Sequence, residues 1–154
     1  MEHNQNNKPS VFGKSLQLVN GDFHFVDGDF ALITGRDNFL QAMQVMIETP
    51  FGTDIFNVNY GFDLMNSISQ AQSARLIKEL IRLNIVKSLS LDNRVREIKE
   101  VVFDDDPRFF ELDPLSNPEE SRRTRKAERR WRAIVVLQTI SEGEVTLSLE
   151  GVGV

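Results

Sequence analysis

The chain contains no cysteine, which excludes thiol catalysis, thiolate metal sites and disulfide staples and leaves its redox compartment open. Histidine is almost as scarce. His3 lies in a polar tail, and His24 alternates with Phe23 and Phe25, pointing away from whichever face they bury, so neither has the neighbours a metal site needs. Long apolar runs are missing as well: the longest, residues 133–137, falls far short of the roughly 20 residues a spanning helix needs, so no membrane span is expected. The start MEHNQNNKPS lacks the apolar region of a signal peptide, so secretion by that route is not expected, and cytoplasmic assembly with later exposure is compatible with the lack of cysteine. No glycine-rich phosphate loop and no serine, histidine and aspartate nucleophile signature is present. No catalytic residue, metal or cofactor is therefore expected.

A length of 154 residues fits one domain, at which size folding removes about 68–70% of the unfolded chain's accessible surface. The expected organisation is a flexible tail over 1–15 and a single domain over 16–154. Asn20-Gly21 and Asp27-Gly28 suit the positive backbone angles of two-residue hairpin turns, predicting short strands over 16–19, 22–26 and 29–34. Phe39, Leu40, Met43, Met46 and Ile47 then recur at helical spacing over 37–49, with Asp37 at the N-cap position and Pro50 and Gly52 as stop signals. A second helix begins at Ser69, where Leu76, Ile77, Leu80, Ile81 and Ile85 form an apolar stripe. Residues 94–103 read as a strand, and 131–140 and 145–152 as a hairpin around Glu142-Gly143. The fold class is α+β: a small mixed or antiparallel sheet, made of the early meander and the C-terminal hairpin, packed on two main helices. No repeat of solenoid length is present.

Between these elements lies a charged insertion at about 104–130. It opens with an acidic block and closes with a basic run that includes Arg122, Arg123, Arg125, Lys126, Arg129 and Arg130. Asn117 as cap, Pro118 at the first position and Glu120 at the third predict a short charged helix. The basic surface suits an acidic protein partner or a self-paired solvated helix. Nucleic acid is less favoured, because the net charge is -5 and only Trp131 interleaves an aromatic ring.

The ordered series Gly21-Asp22, Gly28-Asp29-Phe30, Thr34-Gly35, Gln41-Ala42, Thr49-Pro50-x-Gly52, Asn59-Tyr60-Gly61 and Arg94-Val95 resembles the sheath-initiator, or GPW-type baseplate wedge, family of contractile phage tails and contractile injection machines. The resemblance spans roughly 16–103. Where that family usually carries Glu-Pro-Arg, this chain has Asp92-Asn93-Arg94. The resemblance implies a structural baseplate protein with partners among wedge proteins, the sheath protein and tube or hub proteins, six copies around the tail axis, and a final place in a phage tail, an extracellular injection particle or a secretion baseplate. The absence of an extended N-terminal helix points toward the first two.

Asp92 and Arg94 become the expected wedge-binding residues, with an internal turn-stabilising bond as the alternative for Arg94. The 145–152 strand is expected as the exposed edge that accepts a sheath strand, with Val145, Leu147, Leu149 and Val152 as its residues. Gln41 is expected to hydrogen-bond within the core. The family has also carried a lysozyme-like label, under which Glu48 with Asp54 or Asp63 would be a carboxylate pair; the alternative for Glu48 is a solvated helix end. A peptidoglycan-cleaving enzyme and a soluble adaptor domain are the competing functions.

Overall fold

Asn20 and Gly21 (φ 54° and 82°) and Asp27 and Gly28 (φ 52° and 85°) form the two tight turns that their sequence favours, because paired positive angles match the twist of the strands they join. The computed structural model describes residues 11–63, 69, 73–128 and 130–152, without the side chains of Lys126, Glu128 and Val152. Residues 1–10 of the expected tail, 70–72 of the expected second helix, and Arg129 lie outside the described residues. The chain divides into two compact units, Met1–Met43 and Gln44–Val154.

In the first unit, six short strands replace the three expected ones: β1 (Lys14–Leu16), β2 (Leu18–Val19), β3 (Asp22–Phe23), β4 (Phe25–Val26), β5 (Asp29–Phe30) and β6 (Leu32–Thr34). They pair antiparallel as β1 with β6, β2 with β3 and β4 with β5. The breaks fall at Gln17, His24 and Ala31. These three close a ring of backbone hydrogen bonds: Gln17 N–H donates to Ala31 C=O (2.8 Å), Ala31 to His24 (2.9 Å), and His24 to Gln17 (3.0 Å). The result is a three-armed clover. Its cause is a seven-residue repeat, QLVNGDF, HFVDGDF and ALITGRD, in which each repeat places a ring residue first and a glycine of positive φ fifth, in a turn in the first two repeats and at the start of the following helix in the third. The Phe23 and Phe25 side chains stand exposed, not on a buried face, so the alternation that set His24 opposite them does not mark a core.

Helix α1 (Gly35–Glu48) starts two residues before the predicted boundary, which puts Asp37 in its first turn, not at its cap. Its polar side chains tie down the clover. Gln41 works like an extra strand across the break at Gln17: its Oε1 accepts the Leu18 N–H (2.8 Å) and its Nε2 donates to Leu16 C=O (2.9 Å). Asn38, which is buried, donates to Phe12 C=O (2.6 Å) and accepts from the Ser15 hydroxyl. Phe12 is fully buried and stacks on Phe39 at 4.9 Å, and residues 14–16 form β1. The described end of the expected tail is thus anchored; the Val11-Phe12 pair was the apolar signal for it. Gln41→Ala orphans two backbone groups and is expected to cost about 1–3 kcal/mol. Unchanged hydrogen-exchange protection at Leu18 in that variant would refute this bracing role.

The second unit is built on one antiparallel sheet of order β7-β8-β9, with β7 Val95–Phe103, β8 Arg130–Thr139 and β9 Glu144–Val152. The α+β class stands, but the early meander and the late strands belong to separate sheets. Arms of two or three residues, closed on the ring at 17, 24 and 31, have their ladder positions already paired with each other. Strand β8 is central and buried on both faces over 133–137, which explains its unbroken apolar run. On one face Val102, Ile134 and Val136 pack with Phe109 of α3 (Pro107–Leu112), a helix not anticipated from the sequence but capped by Asp106 and opened by Pro107. Helix α2 (Ala74–Leu89) lies against β7 and buries Ile81, Ile85 and Leu89; Ser73 caps it by accepting from the Leu76 N–H. The charged helix α4 (Pro118–Glu128) forms as expected, with Asn117 Oδ1 accepting from the Glu119 and Glu120 N–H groups.

Candidate functional site

Two surfaces of the second unit bear on function. The first is the β9 edge. Its ladder with β8 runs without interruption from Gln138↔Glu144 to Arg130↔Val152. Val145, Leu147 and Leu149 face inward and are buried, whereas Thr146, Ser148 and Glu150 are exposed. Those three apolar residues therefore hold the strand onto its own core and are not available to a partner. What β9 offers outward is a backbone edge with no further strand beside it among the described residues, a feature that natural sheets usually protect with lysine, proline or bulges. Strand β9 carries none of these. The opposite edge, β7, is interrupted by register shifts at Val95/Glu97 and Ile98/Glu100 and carries Arg96 and Lys99.

The second surface lies at the start of β7. Asp92 and Arg94 form a two-pronged pair, Nε to Oδ1 at 2.9 Å and a terminal nitrogen to Oδ2 at 2.7 Å, and Oδ1 also accepts the Arg94 N–H at 2.8 Å. The turn closes with Val95 N–H on Asp92 C=O (2.9 Å). Asn93 stands between the two residues, and the Asp92 side chain does the bracing. Burial pushes the Asp92 carboxyl up, but the Arg94 hydrogen bonds and charge outweigh it and hold the acid below its ordinary value. Burial, together with Asp54 and Asp92, raises the nearby Tyr60 hydroxyl against the opposing pull of Arg94. These groups border an open depression of about 560 Å³ lined by Met46, Asn57, Asn59, Tyr60, Leu91 and the Asp92–Arg94 turn.

Beside it the loop over 49–63 displays Ile55 and Phe56, 82% and 94% exposed, with Val58 and Leu91 also out in solvent. Apolar side chains this exposed mark an interaction surface when they cluster. Sequence reasoning missed them, because Ile and Phe in a loop carry no periodic signal. The loop is itself rigidly closed: Phe62 N–H donates to Thr49 C=O (2.8 Å), Phe51 N–H to Phe62 C=O (3.2 Å), and Ser88 Oγ of α2 to Gly61 C=O (3.0 Å).

The structure gives Arg94 its internal role directly. Arg94→Ala is expected to lower stability by about 1–3 kcal/mol, since it removes charge-assisted bonds from a half-buried carboxylate. The sign with pH follows from the depressed Asp92 acid: its contribution is complete above the unfolded-state value and is lost as pH falls through the folded-state value. Urea midpoints that coincide for wild type and variant at neutral pH would remove the bracing role.

The basic insertion is partly self-paired. Arg125 approaches buried Asp104 (Nε to Oδ1 3.8 Å) and donates to its carbonyl (3.3 Å); Arg132 donates to Ser121 (2.7 Å) and Ser116 (3.1 Å). Burial raises the Asp104 acid, and Arg125 and Arg132 only partly offset it. Arg122, Arg123 and Arg130 are exposed. Glu48 is exposed at the end of α1 and accepts from Gln44, the surroundings of a solvated helix end. No group of acids and histidines that could hold a metal occurs among the described residues, and no helix among them is long and apolar enough to cross a membrane. No protein-family model matches the chain, and no curated protein matches it.

Proposed function

We propose that this protein is a structural baseplate component of a contractile tail or injection machine, which links wedge proteins to the first sheath ring and starts sheath polymerisation by strand exchange. The observation that carries this reading is the asymmetry of the sheet: one edge has register shifts and carries Arg96 and Lys99, and the other is a nine-residue strand with an uninterrupted ladder and no further strand beside it among the described residues. A strand added there gains a ladder of main-chain hydrogen bonds with little demand on side chains. The motif series over 16–103 supports the same assignment. The Asp92–Arg94 turn, the depression beside it and the exposed Ile55 and Phe56 form the side that meets the wedge proteins. Six copies surround the tail axis in this reading.

The test is to tag the protein in its native host, sediment the particulate fraction and image it, with mass spectrometry of what co-purifies. Contractile particles labelled at the baseplate end of the sheath are the expected result. A tag confined to the soluble fraction without tail proteins would overturn the assignment, and turnover of cell-wall material by the pure protein would replace it with the hydrolase.

A further inference from the structure

The clover of the first unit carries an aromatic surface that its own fold does not cover. Phe23, Phe25 and Phe30 are 51%, 56% and 45% exposed, yet they pack on one another, Phe25 to Phe30 at 4.6 Å and Phe23 to Phe30 at 5.6 Å. Val19 and Val26, on the same arms, are exposed as well. The seven-residue repeat explains the cluster, since it delivers a phenylalanine after each Gly-Asp of the two closed arms. Around these rings stand Asp22, Asp27 and Asp29, all exposed and without an ion pair among the described residues. Lys14, on the open arm, is the only Lys or Arg between residues 11 and 35. The surface is thus apolar at its centre and acidic at its margin, and it suits a basic segment that can also stack on aromatic faces. Arginine does both.

The chain itself carries such a segment. Helix α4 presents Arg122 and Arg123, exposed and without an ion pair among the described residues, and the same insertion holds Leu115 at 97% exposure. Arg125 and Arg132 are turned inward onto Asp104, Ser116 and Ser121, so among the described arginines of α4 Arg122 and Arg123 are the ones turned outward. We infer that the acidic aromatic clover of one copy docks the arginine-bearing α4 insertion of a second copy. The two surfaces differ, so the contact is head-to-tail and propagates from copy to copy, closing as a ring where the rotation permits. This inference stands independently of the strand-exchange edge, because it uses neither β9 nor the Asp92–Arg94 turn.

Sedimentation velocity of the purified full chain tests it. At about 0.01 M salt, where the Debye length is about 30 Å, concentration-dependent self-association is expected, weakening as salt rises to about 1 M and the length falls to about 3 Å. Asp22→Asn with Asp29→Asn removes two charges and keeps the Oδ1 atoms that accept the Phe23 and Phe30 N–H groups, so the turns should persist. This variant and Arg122→Gln with Arg123→Gln are each expected to weaken association roughly tenfold. The four changes together should cost less than the sum of the two pairs, as for groups that touch. A chain that stays monomeric at low salt, or association indifferent to either pair, would overturn the inference. So would strictly additive losses, which would mean that each surface meets something other than its counterpart.

Discussion

Gly61→Ala is expected to lower stability by about 3–5 kcal/mol, the sum of a strained backbone and an overpacked contact, with a fall in thermal midpoint of roughly 10 °C or more. Gly61 sits at φ 106°, where an L side chain is disfavoured, and a Cβ there would lie 2.6 Å from the Thr49 carbonyl oxygen and 2.9 Å from that of Pro50. Both obstacles are backbone, so no side-chain rotation relieves them. The Thr49 carbonyl is fixed at the same time by the Phe62 N–H, and the Gly61 carbonyl by Ser88 of α2. Relief would therefore require opening the 49–63 loop and loosening Phe62, which is buried near Trp131 with ring centroids 6.4 Å apart. The loop also displays Ile55 and Phe56, so the same substitution should disturb how these two exposed side chains are presented. Chemical denaturation of the purified variant measures the first effect directly. A change below about 0.5 kcal/mol, the level of an ordinary surface substitution, would show that the loop is not held as described.

Several local signals, though not Asp37 as a cap or the Asp106-Pro107 start of α3, are legible where a few adjacent residues decide the outcome. Asn20-Gly21 and Asp27-Gly28 turn, Asn117-Pro118 caps and opens α4, and the alternation of Val145, Leu147 and Leu149 with Thr146, Ser148 and Glu150 separates buried from exposed. What depends on distant partners was less legible. The clover needs residues 17, 24 and 31 to bond one another, and its seven-residue period is far shorter than a solenoid repeat. The expectation of one sheet followed from counting strands without knowing that the early ones pair among themselves. Arg94 belongs to the motif series, but its geometry with Asp92 depends on how the turn bends, which the residue types Asp92-Asn93-Arg94 do not specify. The edge residues show the limit most clearly: alternation identified which side of β9 is apolar, and the same apolarity buries that side in the protein's own core. Contact by strand addition uses the backbone, to which side-chain pattern is blind.

That distinction determines how the edge must be tested. Deleting β9, or replacing Val145, Leu147 or Leu149, would remove buried core residues and unfold the second unit, so loss of sheath in such a variant would say nothing about the edge. Thr146→Lys with Ser148→Lys acts elsewhere. Both side chains are exposed, and substitutions at such positions usually change stability by less than about 0.5 kcal/mol each. Lysines along an open edge, however, are a standard obstacle to strand pairing, since an incoming strand must desolvate two ammonium groups. Under the strand-exchange function proposed above, the expected outcome is a protein with an unchanged thermal midpoint that still enters baseplates, on particles whose tubes form and whose sheaths do not. Full-length sheaths on particles carrying the double lysine variant would exclude β9 as the initiating strand. The bulged β7 edge makes a poor substitute, because its register shifts break the even spacing of donors and acceptors that a new ladder needs. Sheath assembly that survives the two lysines would therefore have to begin without adding a strand to this sheet.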